Sequence, residues 1–257
     1  MKFFFIMKRC NVLLLIMILI SLSSEGNLIA DDLFMYCGAG LRQPVDKILA
    51  IYRKKTGENV IVEFGGSGQL ISRFTASGEG DLFLAGSHFY TDKLHKACKL
   101  TASYPLVLHV PVVAVNRKSQ DKVKKFEDLA KPGIRVGLGD PTAMALGRTA
   151  VNILERSGFK DSIIKNRIVS AATVKQLTLY VSLGNVDAAI IAKADAFQNK
   201  DKLVYFDIKK EWYSPEIVTM AVLNTSEKSG QAKKLAEYFS KPESMKIFSD
   251  YGFMPVK

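Results

Sequence analysis

Acidic residues are in short supply in this chain: 25 Asp and Glu stand against 36 Lys and Arg, a formal net charge of +11. That excess points to anions, membrane surfaces or nucleic acid as partners. The lysines are scattered and no aromatic residues interleave with them, which argues against nucleic acid. Histidine is scarcer still. His88, His95 and His109 have no metal-ligand spacing, and His109, inside a strand-like run, reads as a satisfied structural histidine. No P-loop, Gly-x-Ser-x-Gly elbow or His-Glu-x-x-His occurs, and Gly38-Ala39-Gly40 lacks the third glycine and distant acid of a dinucleotide fingerprint. No cofactor is expected.

Long apolar runs are confined to the N-terminus. Lys2, Lys8 and Arg9 precede a stretch, Cys10 to Ile20, in which Asn11 alone is strongly polar. A Ser21–Gly26 segment follows, and Ala30 stands before Asp31-Asp32. This is the order of a secretory signal, expected over residues 1–30 with cleavage near Ala30. The alternative is an N-terminal membrane anchor, since the apolar core is long. Cys10 precedes that core and Cys37 follows bulky Phe34-Met35-Tyr36, so neither suits a lipobox. Elsewhere nothing approaches the roughly 20 apolar residues of a membrane span. The remaining 227 residues keep +9 of the charge, because Lys2, Lys8, Arg9 and Glu25 carry +2. They read as a soluble, monomeric extracytoplasmic chain. Cys37 and Cys98 can pair in an oxidising compartment, with two unpaired, largely buried thiols favoured.

Strand-like and helix-like runs then alternate. Leu33–Tyr36, Asn59–Glu63 and Asp81–Leu84 read as strands, and Gln43–Thr56 and Gly68–Ala76 as helices. Val45, Ile48, Leu49 and Tyr52 fall at i, i+3, i+4, i+7, one face of a helix. A second set covers Ile134–Leu138, Leu146–Ser157, Ile168–Ser170, Val174–Leu183 and Ala188–Ile191. Helices over Gln231–Tyr251 close the chain. Such alternation predicts parallel α/β structure. Two long β-rich runs, Leu106–Val115 and Ile217–Leu223, are expected to cross between two lobes: residues 31–110 with 217–257, and residues 111–216. A cleft between lobes is where ligands bind.

Where strands give way to helices, the turns carry the function. In Val60–Leu70 a β-branched run ends in Gly65-Gly66-Ser67-Gly68 and a helix begins. That layout leaves backbone N–H groups and one hydroxyl at a helix N-terminus, a site for an anion. Similar turns follow Leu33–Tyr36 at Cys37–Gly40 and follow Ile134–Gly137 at Asp140-Pro141. These turns are mostly Gly, Ala, Ser and Thr, without an acid–base pair, which suits holding a ligand rather than converting it.

Phe64–Leu70, Gly80–Leu84, Val136–Pro141 with Gly147, and Ile247-Phe248 to Tyr251–Phe253, in that order, carry a family likeness. The chain resembles the periplasmic substrate-binding proteins of ABC importers, specifically the molybdate-binding type. The resemblance implies a type II, two-lobed fold, an oxyanion ligand (molybdate or tungstate), and delivery to a permease with its ATPase. It places the ligand-binding groups at Ala39 and Gly40, at Gly66, Ser67 and Gly68, at Leu146 and at Val174. It also implies two departures. Gly40 stands where the family has a serine, and Ala192 where it has a tyrosine, leaving Ser67 as the hydroxyl donor kept.

Arg148, in the first turn after Asp140-Pro141, is a further candidate, able to grip an oxyanion bidentately or to sit exposed beside Glu155 or Asp140. Arg42 has the same two readings. Ser87-His88 sits at a third strand end near the cleft, and Trp212 is expected to be packing in the second lobe. The rival readings are a receptor re-tuned for sulfate, phosphate, an organic acid or a metal chelate, and an exported enzyme acting on an acidic substrate.

Overall fold

The computed structural model describes residues 32–256; the signal-segment expectations lie outside them. Eleven strands are described: β1 (Leu33–Gly38), β2 (Val60–Gly65), β3 (Leu82–Ala85), β4 (Leu100–His109), β5 (Pro111–Asn116), β6 (Val136–Gly139), β7 (Arg167–Ala171), β8 (Ala188–Ala192), β9 (Leu203–Asp207), β10 (Glu216–Leu223) and β11 (Met254–Pro255). The α-helices are α1 (Arg42–Thr56), α2 (Ser67–Ser77), α3 (His88–Lys96), α4 (Ala145–Ser157), α5 (Lys160–Lys165), α6 (Val174–Leu183), α7 (Lys193–Gln198), α8 (Ser229–Phe239) and α9 (Pro242–Asp250). No described helix is long and apolar enough to cross a membrane.

The strands form two sheets. The first runs β11-β4-β10-β3-β1-β2 and the second β7-β6-β8-β5-β9. Within the first, β1 pairs in parallel with β2 and β3; within the second, β6 pairs in parallel with β7 and β8. The apolar run Leu106–Val115 is not one strand. It divides at Val110, and its two parts, β4 and β5, lie in different sheets. The chain returns to the first sheet through residues 208–215, after which β10 pairs with β4 and β3.

Each sheet is mixed rather than parallel throughout, since β4, β10 and β11 in the first and β5 with β8 and β9 in the second pair antiparallel, and both faces of each sheet are covered. On one face of the first sheet, Val45 and Ile48 of α1 pack with Met220, Phe239 and Phe248, all fully buried. Each such side chain removes apolar area worth roughly 1.5–3 kcal/mol. The other face carries Phe74, Tyr90 and Leu94. The second sheet is sandwiched between a cluster with Ile153, Leu154 and Trp212 and one with Leu177 and Val181. Trp212 packs on Phe126 with centroids 4.9 Å apart and the rings tilted at 59°, a packing residue. Among the described residues Cys37 and Cys98 are both free; Cys37 is buried but Cys98 is exposed, against the expectation of two buried thiols.

Register brings the functional turns level. Gly38 pairs with Gly65, Cys37 with Leu84 and Gly139 with Ala171. The turns leaving β1, β2 and β3 therefore start side by side, as do those leaving β6 and β7. Ligands in open α/β sheets bind outside such carboxyl strand ends.

Candidate functional site

The turns of the two sheets meet around a small cavity. From the first sheet come the 3₁₀ turn Ala39–Leu41 after β1, Gly66 and Ser67 after β2, and Gly86 after β3. From the second come Met144, Ala145 and Leu146 at the start of α4, and Val174 at the start of α6. His109, the last residue of β4, completes the wall. The cavity volume is ≈ 30 Å³. At about 10–15 Å³ for each water-sized group, it has room for two or three of them.

Ser67, Leu146 and Val174 lie in the first turns of α2, α4 and α6, where N–H groups have no partner in their own helix. Some first-turn donors are taken elsewhere. Gly147 N–H donates to Met144 O at 3.2 Å, and Gln176 N–H to the Thr173 hydroxyl at 3.2 Å. The Ser67 hydroxyl is buried and accepts from Gly86 N–H at 3.2 Å. With its oxygen held that way, its own O–H is left to donate into the cavity.

Two glycines let the sheets' turns come this close. A Cβ on Gly66 would lie 2.3 Å from Ala143 O and 2.4 Å from Ala172 O, and one on Gly68 would lie 2.0 Å from Thr142 O. Gly68 N–H donates across the gap to Ala143 O at 2.9 Å. Glu216 of β10 adds a second tie: it accepts from Thr149 Oγ1 of α4 at 2.9 Å and from the hydroxyl of Ser87, the N-cap of α3.

Ala39, Gly40, Gly66, Ser67, Leu146 and Val174 thus share one cavity, whereas three other expected residues are placed differently. The Gly68 N–H is occupied by Ala143, as above. Arg148 stacks its guanidinium on Phe89 of α3, 3.2 Å from the ring centre, which directs it to the rim between α4 and α3. Ala192 is fully buried as the N-cap of α7 and does not line the cavity. Arg42 likewise stacks, on Phe64 at 3.9 Å. Gly40 has a packing reason for lacking a side chain: a Cβ there would lie 2.7 Å from Val174 Cγ1 and 3.4 Å from Asp195 Oδ2. His88 sits outside, 3.7 Å from Glu216.

Sequence reasoning missed His109. Its Nδ1 meets Gly86 O at 3.2 Å, but its buried Nε2 has no hydrogen-bond partner among the described residues. It is therefore not a satisfied core histidine. The available signal was a single imidazole in the otherwise apolar run Leu106–Val115. Burial pulls its pKa below 6.5, opposed by the Asp195 carboxylate. Asp195 is itself fully buried, with Lys175 as its charge partner at 2.8 Å.

The model of the bacterial extracellular solute-binding proteins matches residues 33–254. The chain belongs to that family. It is a type II periplasmic substrate-binding protein of the ABC-importer kind, and its place is extracytoplasmic. A Haemophilus influenzae chain, named only as a binding protein, is 41% identical over 228 residues, covering 89% of this chain and 93% of its own. The molybdate-binding protein ModA of Escherichia coli is 23% identical, covering 91% and 94%. Among solved structures, the periplasmic molybdate-binding protein of Azotobacter vinelandii superposes with a TM-score of 0.78 at 16% identity, over 88% of this chain and all of that one. The mixed α/β architecture of two sheets is the one they share.

Proposed function

We propose that this solute-binding protein captures a compact tetrahedral oxyanion, molybdate or tungstate, and presents it to an ABC permease and its ATPase. The observation that carries the reading is the convergence of helix N-termini from both sheets, with the Ser67 hydroxyl, on a cavity of ≈ 30 Å³. Partial positive charge at those termini replaces the anion's hydration without a full cation opposite it. A cavity this small favours a compact anion over a sugar or a long organic acid. A full-length relative, ModA of E. coli, is named for molybdate, which supports that choice within the oxyanions. The contacting groups are the Ala39 and Gly40 turn, Gly66 and Ser67 from one lobe, and Leu146 and Val174 from the other.

In this reading residues 31–110 with 217–257 form one lobe and residues 111–216 the other, and the ligand is held when they close. Closure excludes water and strengthens each hydrogen bond. Residues 1–30 direct export and are removed. The test is a thermal-shift panel on ligand-stripped protein from Asp31 onward with molybdate, tungstate, sulfate, phosphate and several carboxylates. The expected result is a large upward shift with molybdate and tungstate. A shift only with another anion would re-assign the ligand, and a shift only with carboxylates would overturn the oxyanion reading.

A further inference from the structure

We propose that His109 contacts the bound anion and that one proton enters the site with it, held on His109 Nε2. This rests on the oxyanion reading above. Gly86 O can only accept, so the proton of a neutral His109 ring is on Nδ1, which donates at 3.2 Å. Nε2 is then a bare acceptor, buried, unpartnered among the described residues and part of the cavity wall. The glycine turns around it locate the ring. A Cβ built on Gly40 would lie 3.8 Å from Nε2, and one on Gly86 would lie 3.6 Å from Cε1 and 3.7 Å from the Ser67 hydroxyl oxygen. The unpartnered nitrogen therefore lies towards the Gly40 turn of the cavity, where the anion is to sit.

A bare nitrogen lone pair there repels an oxyanion. So does Asp195 Oδ2, which approaches the same Gly40 position at 3.4 Å and accepts no hydrogen bond among the described residues. One proton on Nε2 reverses the first effect, turning an acceptor into a charge-assisted donor aimed at the ligand. It also places a positive charge near the Asp195 carboxylate. The charged groups that act on the ring are Asp195 of α7, Glu216 of β10 and Lys175 of α6. The two carboxylates favour the imidazolium; Lys175, held on Asp195 at 2.8 Å, opposes it. In the empty site burial dominates and keeps the ring neutral at pH 7. A dianion adds the missing negative charge, and the proton comes from solvent. Linkage then requires the converse: lowering the pH strengthens anion binding.

Titration calorimetry with molybdate at pH 7.5, in buffers of different ionisation enthalpy, reads this directly, because molybdate brings no proton of its own at that pH. The wild-type protein is expected to take up close to one proton per anion. Its affinity should fall by up to about tenfold per pH unit above pH 7. His109→Gln, which keeps an amide able to donate but cannot titrate, should bind with no proton uptake and a flat pH profile. Its melting temperature and circular dichroism report that it is folded. Molybdate binding by wild type with no proton uptake and no pH dependence would overturn the inference while leaving the oxyanion reading intact, as would unchanged uptake in His109→Gln. No heat from molybdate, tungstate, sulfate or phosphate would remove both.

Discussion

Gly68→Ala should abolish tight ligand binding without harming the fold. Gly68 is the second residue of α2, in the right-handed helical run, so alanine suits its backbone and adds up to about 1 kcal/mol of helix propensity. The obstacle lies on the other side of the cleft. The new Cβ would sit 2.0 Å from Thr142 O, where contacts under 3.0 Å essentially do not occur. The turn of residues 140–144 must therefore withdraw by about 1 Å, beyond the reach of a good hydrogen bond. The Gly68 N–H to Ala143 O bond, now 2.9 Å, is lost at about 1 kcal/mol. In the proposed site Leu146 and Val174 donate from that side, and their retreat by a similar step would draw them off the anion. At roughly 1.5–3 kcal/mol for each bond to a charged group, their loss totals about 3–6 kcal/mol, or a hundred- to ten-thousandfold in affinity. Calorimetry with molybdate measures that term, and the melting temperature of ligand-free protein measures the fold. Affinity within about threefold of wild type would refute the closure argument. A markedly lowered ligand-free melting temperature would show instead that Gly68 serves the fold.

Ser67→Ala removes the cavity's hydroxyl donor and should weaken molybdate about tenfold with little change in ligand-free stability; unaltered affinity in calorimetry would sink that role. Arg148→Ala removes the stack on Phe89, worth about 0.5–1 kcal/mol, so affinity should fall only two- to fivefold, whereas a loss of a hundredfold would make Arg148 a ligand contact after all. Asp187, just before β8, contributes to the pH dependence of stability. Burial pushes its carboxyl up, but hydrogen bonds from Arg135 and Ser119 outweigh burial and hold it at about 2. A depressed carboxyl stabilises the fold above its unfolded value of 3.8 and loses that contribution as pH falls towards 2. Asp187→Asn should therefore lower the unfolding free energy at pH 7 by about 2 kcal/mol, read as a lower urea midpoint, and do much less at pH 2. Equal losses at both pH values would contradict this assignment.

Much of the architecture was legible in the chain because it follows from local period. The spacing of Val45, Ile48, Leu49 and Tyr52 predicts the buried face of α1, and Val174–Leu183 agrees with α6 at both ends. The break at Val110 was not legible, since β4 and β5 are both apolar and β-rich and only their separate pairing partners divide them. Cys98 was misjudged because its exposure depends on the turn after α3, where it adopts a positive φ of 54°. At the candidate site, the glycine turns stood out because a strand-to-helix turn announces its free N–H groups locally.

What the sequence by itself determined is the alternation of strands and helices, the turns at their junctions and the excess of positive charge. All of these depend on neighbours in the chain. The tertiary structure alone decided which donors remain available. Gly68 loses its N–H to a carbonyl 75 positions away, and Arg148 is drawn onto Phe89 from another helix. His109, unremarkable within its strand, is brought by Gly86 and Gly40 to a buried face with its nitrogen unpartnered. Whether a polar group is satisfied depends on what packs against it from distant segments, and no periodicity in the sequence carries that information.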